Sequence, residues 1–210
     1  MTLIGQKQTS AKGRSAAKYW SERAQLAPDN TLGIVMNKQY LQLLQKSIGS
    51  TSVGPSTARG MGPAGTIQAA RKYLQGVDIS RFVKSNKSAF QLELETATSE
   101  LQKALPKEAR HWGSARKFLN IFLRNCTYNK YVCEQHKLEK IESWLEVPID
   151  SHVVKGLKEE GRRGALPRWR TVIGLTPGEN SAYQTFASEV AEREGVLRAH
   201  LDVKYWRRDA

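Results

Sequence analysis

The sequence predicts a mainly α-helical fold. Apolar residues recur at helical spacing along most of the chain, and the alternation typical of a strand is almost absent before residue 197. With 210 residues the chain can bury a sizeable core, as one large domain or as two small lobes that share an interface. We expect two closely packed helical lobes within residues 16–210, preceded by a basic, flexible arm over residues 1–15.

Helical spacing and helix-stop signals divide the first half of the chain. Asn37 is a suitable N-cap for an apolar run that reaches Ile48, and Asp78 precedes a further short run. Pro106 ends the longest helical pattern of this half, because proline cannot continue a helix. The predicted elements are helices over 16–24, 37–48, 66–74 and 88–105, a short helix after Asp78, and a short strand over 31–36.

A segment rich in Ser, Gly and Pro, residues 50–65, separates two of these helices. Gly60, Gly62 and Gly65 within it fit a GxGxxG pattern, but no convincing strand leads into them. A flexible connector is one interpretation. The alternative is a nest of backbone amides that, together with Arg59, binds a phosphate near the start of the next helix.

The second half of the chain predicts more helices and one exception. Asp150 is well placed to cap the helix that follows it, and Pro177 and Gly178 separate two later helices. Residues 197–205 alternate between apolar and polar side chains, which is the period of a strand, and 31–36 is the expected partner. The predicted helices cover residues 114–126, 138–145, 151–157, 167–175 and 181–194.

The charge balance points to a polyanionic partner. The chain has 33 Lys and Arg against 20 Asp and Glu, a net charge of +13, and nucleic acid is the commonest partner of so basic a protein. A basic protein that needs only solubility, or an acidic protein partner, is the alternative. The basic residues do not gather on one amphipathic segment, and no apolar run approaches the length of a membrane span, so we expect no membrane partner.

The N-terminus lacks the apolar core of a secretory signal, so we expect a cytoplasmic, nucleoid-associated protein. Cys126 and Cys133 are interpreted as ordinary buried thiols of a reducing compartment. A metal or iron–sulfur site built from them and His136 would lack a fourth ligand of the right type. We therefore expect neither a metal nor another cofactor.

Two motifs each begin an apolar helical run. The first is Gly113-Ser114-Ala115-Arg116-Lys117, in which a small residue at a turn precedes a lysine, and the second runs from Val147 to Val153 through Pro148 and Asp150. An amine attacks only when it is neutral, and both the positive end of a helix and a neighbouring Arg116 favour that form. If the two helix starts face each other, Lys117 and Asp150 are a nucleophile and its activator.

These motifs, within residues 105–157, resemble those of the helix-hairpin-helix DNA glycosylases of the endonuclease III superfamily. The family hairpin reads Gly-x-Gly-x-Lys, and Gly113 and Lys117 match it, with Ala115 in place of the second glycine. The family's Val-Pro-x-Asp-x-His-Val signature matches the second motif, His152 included. The long spacer between lysine and aspartate is similar to that of the archaeal GO glycosylase branch.

The resemblance implies a DNA glycosylase with AP lyase activity that flips a damaged or modified base out of double-stranded DNA and acts as a monomer. Lys117 attacks the sugar, and Asp150 takes its proton and stabilises the developing positive charge. The expected DNA contacts are Arg110, Gly113, Ser114, Ala115, Arg116 and His152. The expected walls of the base pocket are Trp112, Trp144 and Trp206, with Trp169 and Tyr205 as weaker candidates.

Three alternatives remain open at this stage. The same enzyme class can excise a hypermodified base from foreign DNA as a defence, rather than repair damage. A non-catalytic nucleic-acid-binding protein is the alternative from another class, although such a protein has no need for both Lys117 and Asp150. Residue by residue, Lys117 can be a solvated surface lysine and Asp150 a helix cap without chemistry.

Overall fold

A computed structural model of the chain describes residues 37–162 and 164–206. The expected arm over 1–15, the helical pattern over 16–24 and the strand over 31–36 lie outside these ranges. Within them the chain forms eight α-helices and no strand, so the prediction of a mainly helical protein is confirmed.

The eight helices follow one another through short loops and 3-10 turns. They are α1 Lys38–Ser52, α2 Thr66–Gly76, α3 Lys87–Ala104, α4 Trp112–Tyr128, α5 Lys130–His136, α6 Ser151–Glu160, α7 Pro177–Glu194 and α8 Leu201–Tyr205. Five 3-10 helices lie between them, at Ile79–Phe82, Lys107–Ala109, Leu138–Lys140, Glu142–Trp144 and Arg198–His200.

The two capping residues predicted for the first half of the chain lie at helix starts, as expected. The Asn37 side chain accepts a hydrogen bond from the backbone N–H of Gln39 at the start of α1, and Asp78 caps the 3-10 helix that follows it. Pro177 differs from the prediction, because it begins α7 rather than separating two helices. A proline suits the first helical position, where its missing N–H has no intrahelical role, and Thr176 supplies the cap.

Buried apolar side chains form two clusters. The first contains residues of α1 to α5, with Phe118, Leu119 and Phe122 of α4 among its fully buried members. The second is built by α6, α7, α8 and the segment before α6, and Tyr183 lies in it. Trp169 packs partly against both clusters. The helix that carries Lys117 therefore belongs to the first cluster, and the helix that Asp150 caps belongs to the second.

The predicted strand over 197–205 is wrong. This segment forms a 3-10 helix and then α8, and the consecutive residues Leu201 and Asp202 are both buried while Val203 is 62% exposed. Burial therefore does not follow the alternation of the sequence. A strand also needs a partner, and the described residues contain none.

Two predicted helices are also corrected. Residues 138–145 form two successive 3-10 turns rather than one α-helix. Residues 167–175 are not helical, because this segment crosses between the clusters. Val172 packs into the first cluster and Leu175, three residues later, into the second. The two side chains would share one face of a helix, so an irregular path is what lets them reach different cores.

Candidate active site

Lys117 and Asp150 are brought into direct contact. The Nζ atom of Lys117 lies 3.2 Å from Oδ2 of Asp150. Both residues are buried, with 7% and 6% of their surface exposed. The surface interpretation of Lys117 is therefore wrong. The two sequence motifs meet even though one belongs to α4 and the other to the start of α6.

The Asp150 carboxylate uses its two oxygens for different contacts. Oδ1 accepts the backbone N–H groups of His152, at 3.0 Å, and of Val153, at 3.1 Å. This caps α6 as the sequence predicted. Oδ2 faces Lys117. Capping the helix and pairing with the lysine are therefore simultaneous roles of one side chain, and the cap fixes the carboxylate in the orientation that the pair uses.

The surroundings of Lys117 differ from those that the motif predicted. Because α4 begins at Trp112, Lys117 lies beyond its first turn, where the field of the helix end has largely fallen away. The Arg116 guanidinium points to Glu95, at 2.7 Å, and Glu146, at 3.4 Å, which neutralise it. The helix start and Arg116, the two sources of positive charge that the sequence suggested, therefore do not act on the Lys117 amine as expected.

A pocket of about 620 Å³ opens above the pair. Its walls come from the loop over 53–61 with the end of α1, from α4, from the start of α6, from the segment over 169–172 and from α8. This volume lies within the range of pockets that enclose small organic ligands, roughly 300–1,000 Å³. The carbonyl oxygen of Thr57, in the first of these walls, lies 3.4 Å from Lys117 Nζ.

Two tryptophans line the pocket, and two predicted ones do not. Trp206 lies in the wall, with its ring edge-on to the imidazole of His152 at 6.5 Å, and Trp169 forms another part of the wall. The assignment of Trp112 and Trp144 to the pocket is wrong. Trp112 lies under the Arg116 guanidinium, and Trp144 packs against Phe90 on the first cluster.

The hairpin residues are packed inside the protein rather than presented at a turn. Gly113, Ser114, Ala115 and Arg116 are all buried within α4, so their assignment as DNA contacts is corrected. Gly113 is required by packing, because a Cβ atom there would lie 2.1 Å from the carbonyl oxygen of Val172. Arg110 is exposed but lies outside the pocket wall, whereas His152 is exposed and lines it.

Three arginines of the pocket were not singled out as pocket residues from the sequence. Arg59 and Arg170 are exposed side chains in its walls. Arg124 lies deeper and forms an ion pair with Asp202, and burial lowers the pKa of its guanidinium, opposed by Tyr128 and Asp150. The spacing of Arg124 from Lys117, two helical turns, was a usable signal, since residues so spaced share a face.

The glycine-rich loop before α2 has the backbone that its sequence favours. Gly60, Gly62 and Gly65 all have positive φ, and a Cβ at Gly62 would lie 2.5 Å from that of Ala109, just ahead of α4. The loop is therefore fitted closely against the approach to α4. Arg59, the side chain that the phosphate-binding interpretation named, lines the pocket.

Within the described ranges, no three His, Cys, Asp or Glu side chains are grouped so that they could hold a metal ion. Cys126 is buried in the first cluster, and burial raises the pKa of its thiol. None of the helices in the same part of the chain is long and apolar enough to cross a membrane. No protein-family model matches the chain, and neither a curated protein nor a solved structure matches it.

Proposed function

We propose that the protein is a DNA glycosylase with AP lyase activity, in which Lys117 is the nucleophile and Asp150 its activator. One observation carries the proposal: the buried contact of 3.2 Å between an amine and a carboxylate, beneath a pocket wide enough for a nucleobase. A buried lysine–carboxylate pair is weak evidence for stability alone, since two apolar residues often serve as well. A pair that opens on a pocket is a candidate for catalysis.

The proposed chemistry begins with a proton transfer from Nζ of Lys117 to Oδ2 of Asp150. The neutral amine then attacks C1′ of the sugar, a C–N bond forms, and the bond from C1′ to the base breaks with its electron pair leaving on the base. Asp150 acts as general base and then passes the proton to the departing base, and its regenerated carboxylate stabilises the oxocarbenium-like charge. The C1′–O4′ bond then breaks, one proton of the attached nitrogen moves to O4′, and the open sugar is held as a protonated imine. Removal of a proton from C2′ by the Asp150 carboxylate supplies the electron pair for a C2′–C3′ double bond, and the C3′–O bond breaks with the 3′ phosphate as the leaving group.

The pocket supports a flipped-out base as the substrate. A base inside a duplex cannot be reached, so enzymes of this type extrude it and stack it against aromatic side chains. Trp169 and Trp206 are the tryptophans that line the pocket, and Arg59 and Arg170 are exposed cations in its walls. The net charge of +13 supports binding to the phosphates of double-stranded DNA.

The helix-hairpin-helix glycosylase fold belongs to this proposal. Its support is the match of both sequence motifs together with the contact between their Lys117 and Asp150. These residues do not distinguish a damaged base in the cell's own DNA from a hypermodified base in foreign DNA. The test therefore includes both classes of base.

The test is incubation of the protein with duplexes that each carry one lesion or one hypermodified base. Base release and strand nicking are measured separately, by chromatography of the free base and by denaturing gel. We expect both products from at least one duplex and neither from unmodified DNA. Tight binding to the whole panel without either product would instead show a non-catalytic DNA-binding protein.

A further inference from the structure

The segment before Asp150 is held by polar side chains of other elements rather than by secondary structure. Gln184 of α7 accepts the N–H of Val147 at 3.1 Å and donates to its carbonyl oxygen at 2.8 Å. Arg198 donates to the carbonyl oxygens of Trp144, at 2.9 Å, and Leu145, at 3.1 Å. Hydrogen bonds from side chains therefore fix the backbone at Trp144, Leu145 and Val147, just before the residue that caps α6.

Glu146, in the middle of this segment, reaches across to the helix that carries Lys117. Its Oε2 atom accepts a hydrogen bond from Asn120 at 3.0 Å and lies 3.4 Å from Nε of Arg116. Asn180 of α7 donates to the same oxygen at 3.3 Å. The Glu146 side chain is 11% exposed, so these contacts are largely shielded from water.

The partners of Glu146 flank the proposed nucleophile. Arg116 precedes Lys117 directly, and Asn120 follows it by three residues, close to one turn of α4. Asp150 follows Glu146 by four residues. The carboxylate thus ties α4 on both sides of Lys117 to the short segment that ends in Asp150. It does so from outside the pocket, because Glu146 is not among the residues that line it.

We infer that Glu146 is a positioning residue that sets the distance between Lys117 and Asp150. The inference rests on the proposed function for its catalytic consequence but not for its geometry. Lys117 and Asp150 belong to different helices and different clusters, so a contact between the two helices is needed to hold the distance between them. A misplacement of a catalytic group by 1 Å can reduce a rate by on the order of 10²-fold. Glu146 provides such a contact, because it reaches both Asn120 and Arg116 of α4 directly.

The test compares Glu146→Ala and Glu146→Gln with a matched control. Glutamine keeps a carbonyl oxygen for Asn120 and Asn180, whereas alanine removes every contact. Glu93→Ala is the control, because the Glu93 carboxylate is similarly shielded and pairs with Arg81 and Lys84, away from this segment. Single-turnover rates at saturating DNA, DNA affinity and thermal midpoints are measured for all variants.

We expect Glu146→Ala to lower the maximal rate by roughly 10- to 100-fold while DNA affinity changes little. Glu146→Gln should restore most of the rate, and Glu93→Ala should keep the wild-type rate. A wild-type maximal rate in Glu146→Ala would overturn the inference, as would an equal loss in Glu93→Ala. If Glu146→Ala does not fold, Asn120→Ala removes only one partner of Glu146. It is expected to lower the maximal rate in the same way while DNA affinity changes little.

Crystal structures separate a failure of this inference from a failure of the proposed function. If the wild-type protein releases no base from any duplex, the proposed function fails and the rates are uninformative. The distance from Lys117 Nζ to Asp150 Oδ2 still decides the geometry. We expect it to lengthen beyond hydrogen-bonding range in Glu146→Ala and to stay near 3.2 Å in Glu93→Ala. An unchanged distance in Glu146→Ala would overturn the inference.

Discussion

Lys117 Nζ lies 3.2 Å from Asp150 Oδ2, while the other oxygen of that carboxylate accepts the two backbone N–H groups that begin α6. The position of the carboxylate is therefore set by the helix it caps, and the position of the amine by a helix of the other cluster. How these two helices meet determines the distance across the pair. Substitutions at these and neighbouring residues test this relationship and the chemistry proposed from it.

Asp150→Asn and Asp150→Ala separate the cap from the chemistry. Asparagine caps a helix about as well as aspartate, whereas alanine in place of a cap costs about 0.5–2 kcal/mol. We therefore expect Asp150→Ala to be the less stable of the two by about 1 kcal/mol in urea unfolding. Both should lose base release by roughly 10²- to 10⁴-fold, the usual contribution of a general base. Base release at the wild-type rate in Asp150→Asn would show that the carboxylate is only structural.

Gly113→Ala tests whether the glycine of the first motif serves packing. The added methyl would lie 2.1 Å from the Val172 carbonyl oxygen, so α4 or the segment over 169–172 must move. We expect a loss of roughly 1–3 kcal/mol in the free energy of unfolding, as for other overpacked sites. Gly178→Ala is the control, because nothing lies within 4 Å of its Cβ position. Equal stability of the two variants would contradict the packing role.

Glu100→Gln tests a pH dependence of stability. The Arg81 guanidinium lowers the pKa of the Glu100 carboxyl, burial opposes this, and the Tyr73 hydroxyl adds to the lowering. A lowered pKa in the folded state means that the unfolded state binds more protons, so stability falls as pH falls. The loss should begin near the ordinary value of 4.5 and continue below it.

Urea unfolding measured from pH 6 to pH 3 checks the contribution of Glu100. We expect a shallower fall in Glu100→Gln than in the wild type, because that variant has no carboxyl to protonate at this position. Glu108→Gln, at an exposed glutamate, is the control and should follow the wild-type curve. Parallel curves for the wild type and Glu100→Gln would rule out the contribution.

Arg59 and Arg170 should contribute to the salt dependence of DNA binding. Each phosphate contact that releases a counterion adds about −0.9 to the slope of log K against log salt. We expect Arg59→Ala and Arg170→Ala each to reduce the slope by about 1, largely independently of DNA sequence. Lys103→Ala, at an exposed lysine outside the pocket, should leave it unchanged. A flat salt response of the wild type would argue against a nucleic-acid partner.

The helices and the central pair were predictable from the sequence for physical reasons. The long runs of α3 and α7 repeat their apolar residues over several turns. The local caps Asp78 and Asp150 mark the starts of two other helices, the 3-10 helix Ile79–Phe82 and α6. Lys117 and Asp150 were recognisable because each stands in a motif of fixed spacing. Their contact depends on tertiary packing, and only the resemblance to a family indicated it.

The pocket walls were less predictable because loops place them. Trp169 and Arg170 lie in a segment whose path is set by two different clusters, so its short apolar pattern resembled a helix. Trp112 is adjacent to the first motif in sequence, yet its side chain lies with Arg116 and Glu95. Proximity in sequence does not show which side of a helix faces the pocket. Arg124, by contrast, follows Lys117 on the same helical face and was identifiable in principle.

Borohydride trapping tests the central claim most directly. With a duplex that the wild-type protein processes, borohydride should reduce the imine and leave a covalent protein–DNA adduct, and peptide mapping should locate it at Lys117. Lys117→Gln should give no adduct and no base release while binding DNA almost as tightly, because it removes one of 33 basic residues. Lys158→Gln, at an exposed lysine of α6, should trap like the wild type. An adduct that forms at the wild-type rate in Lys117→Gln, or base release that persists in it, would contradict attack by Lys117.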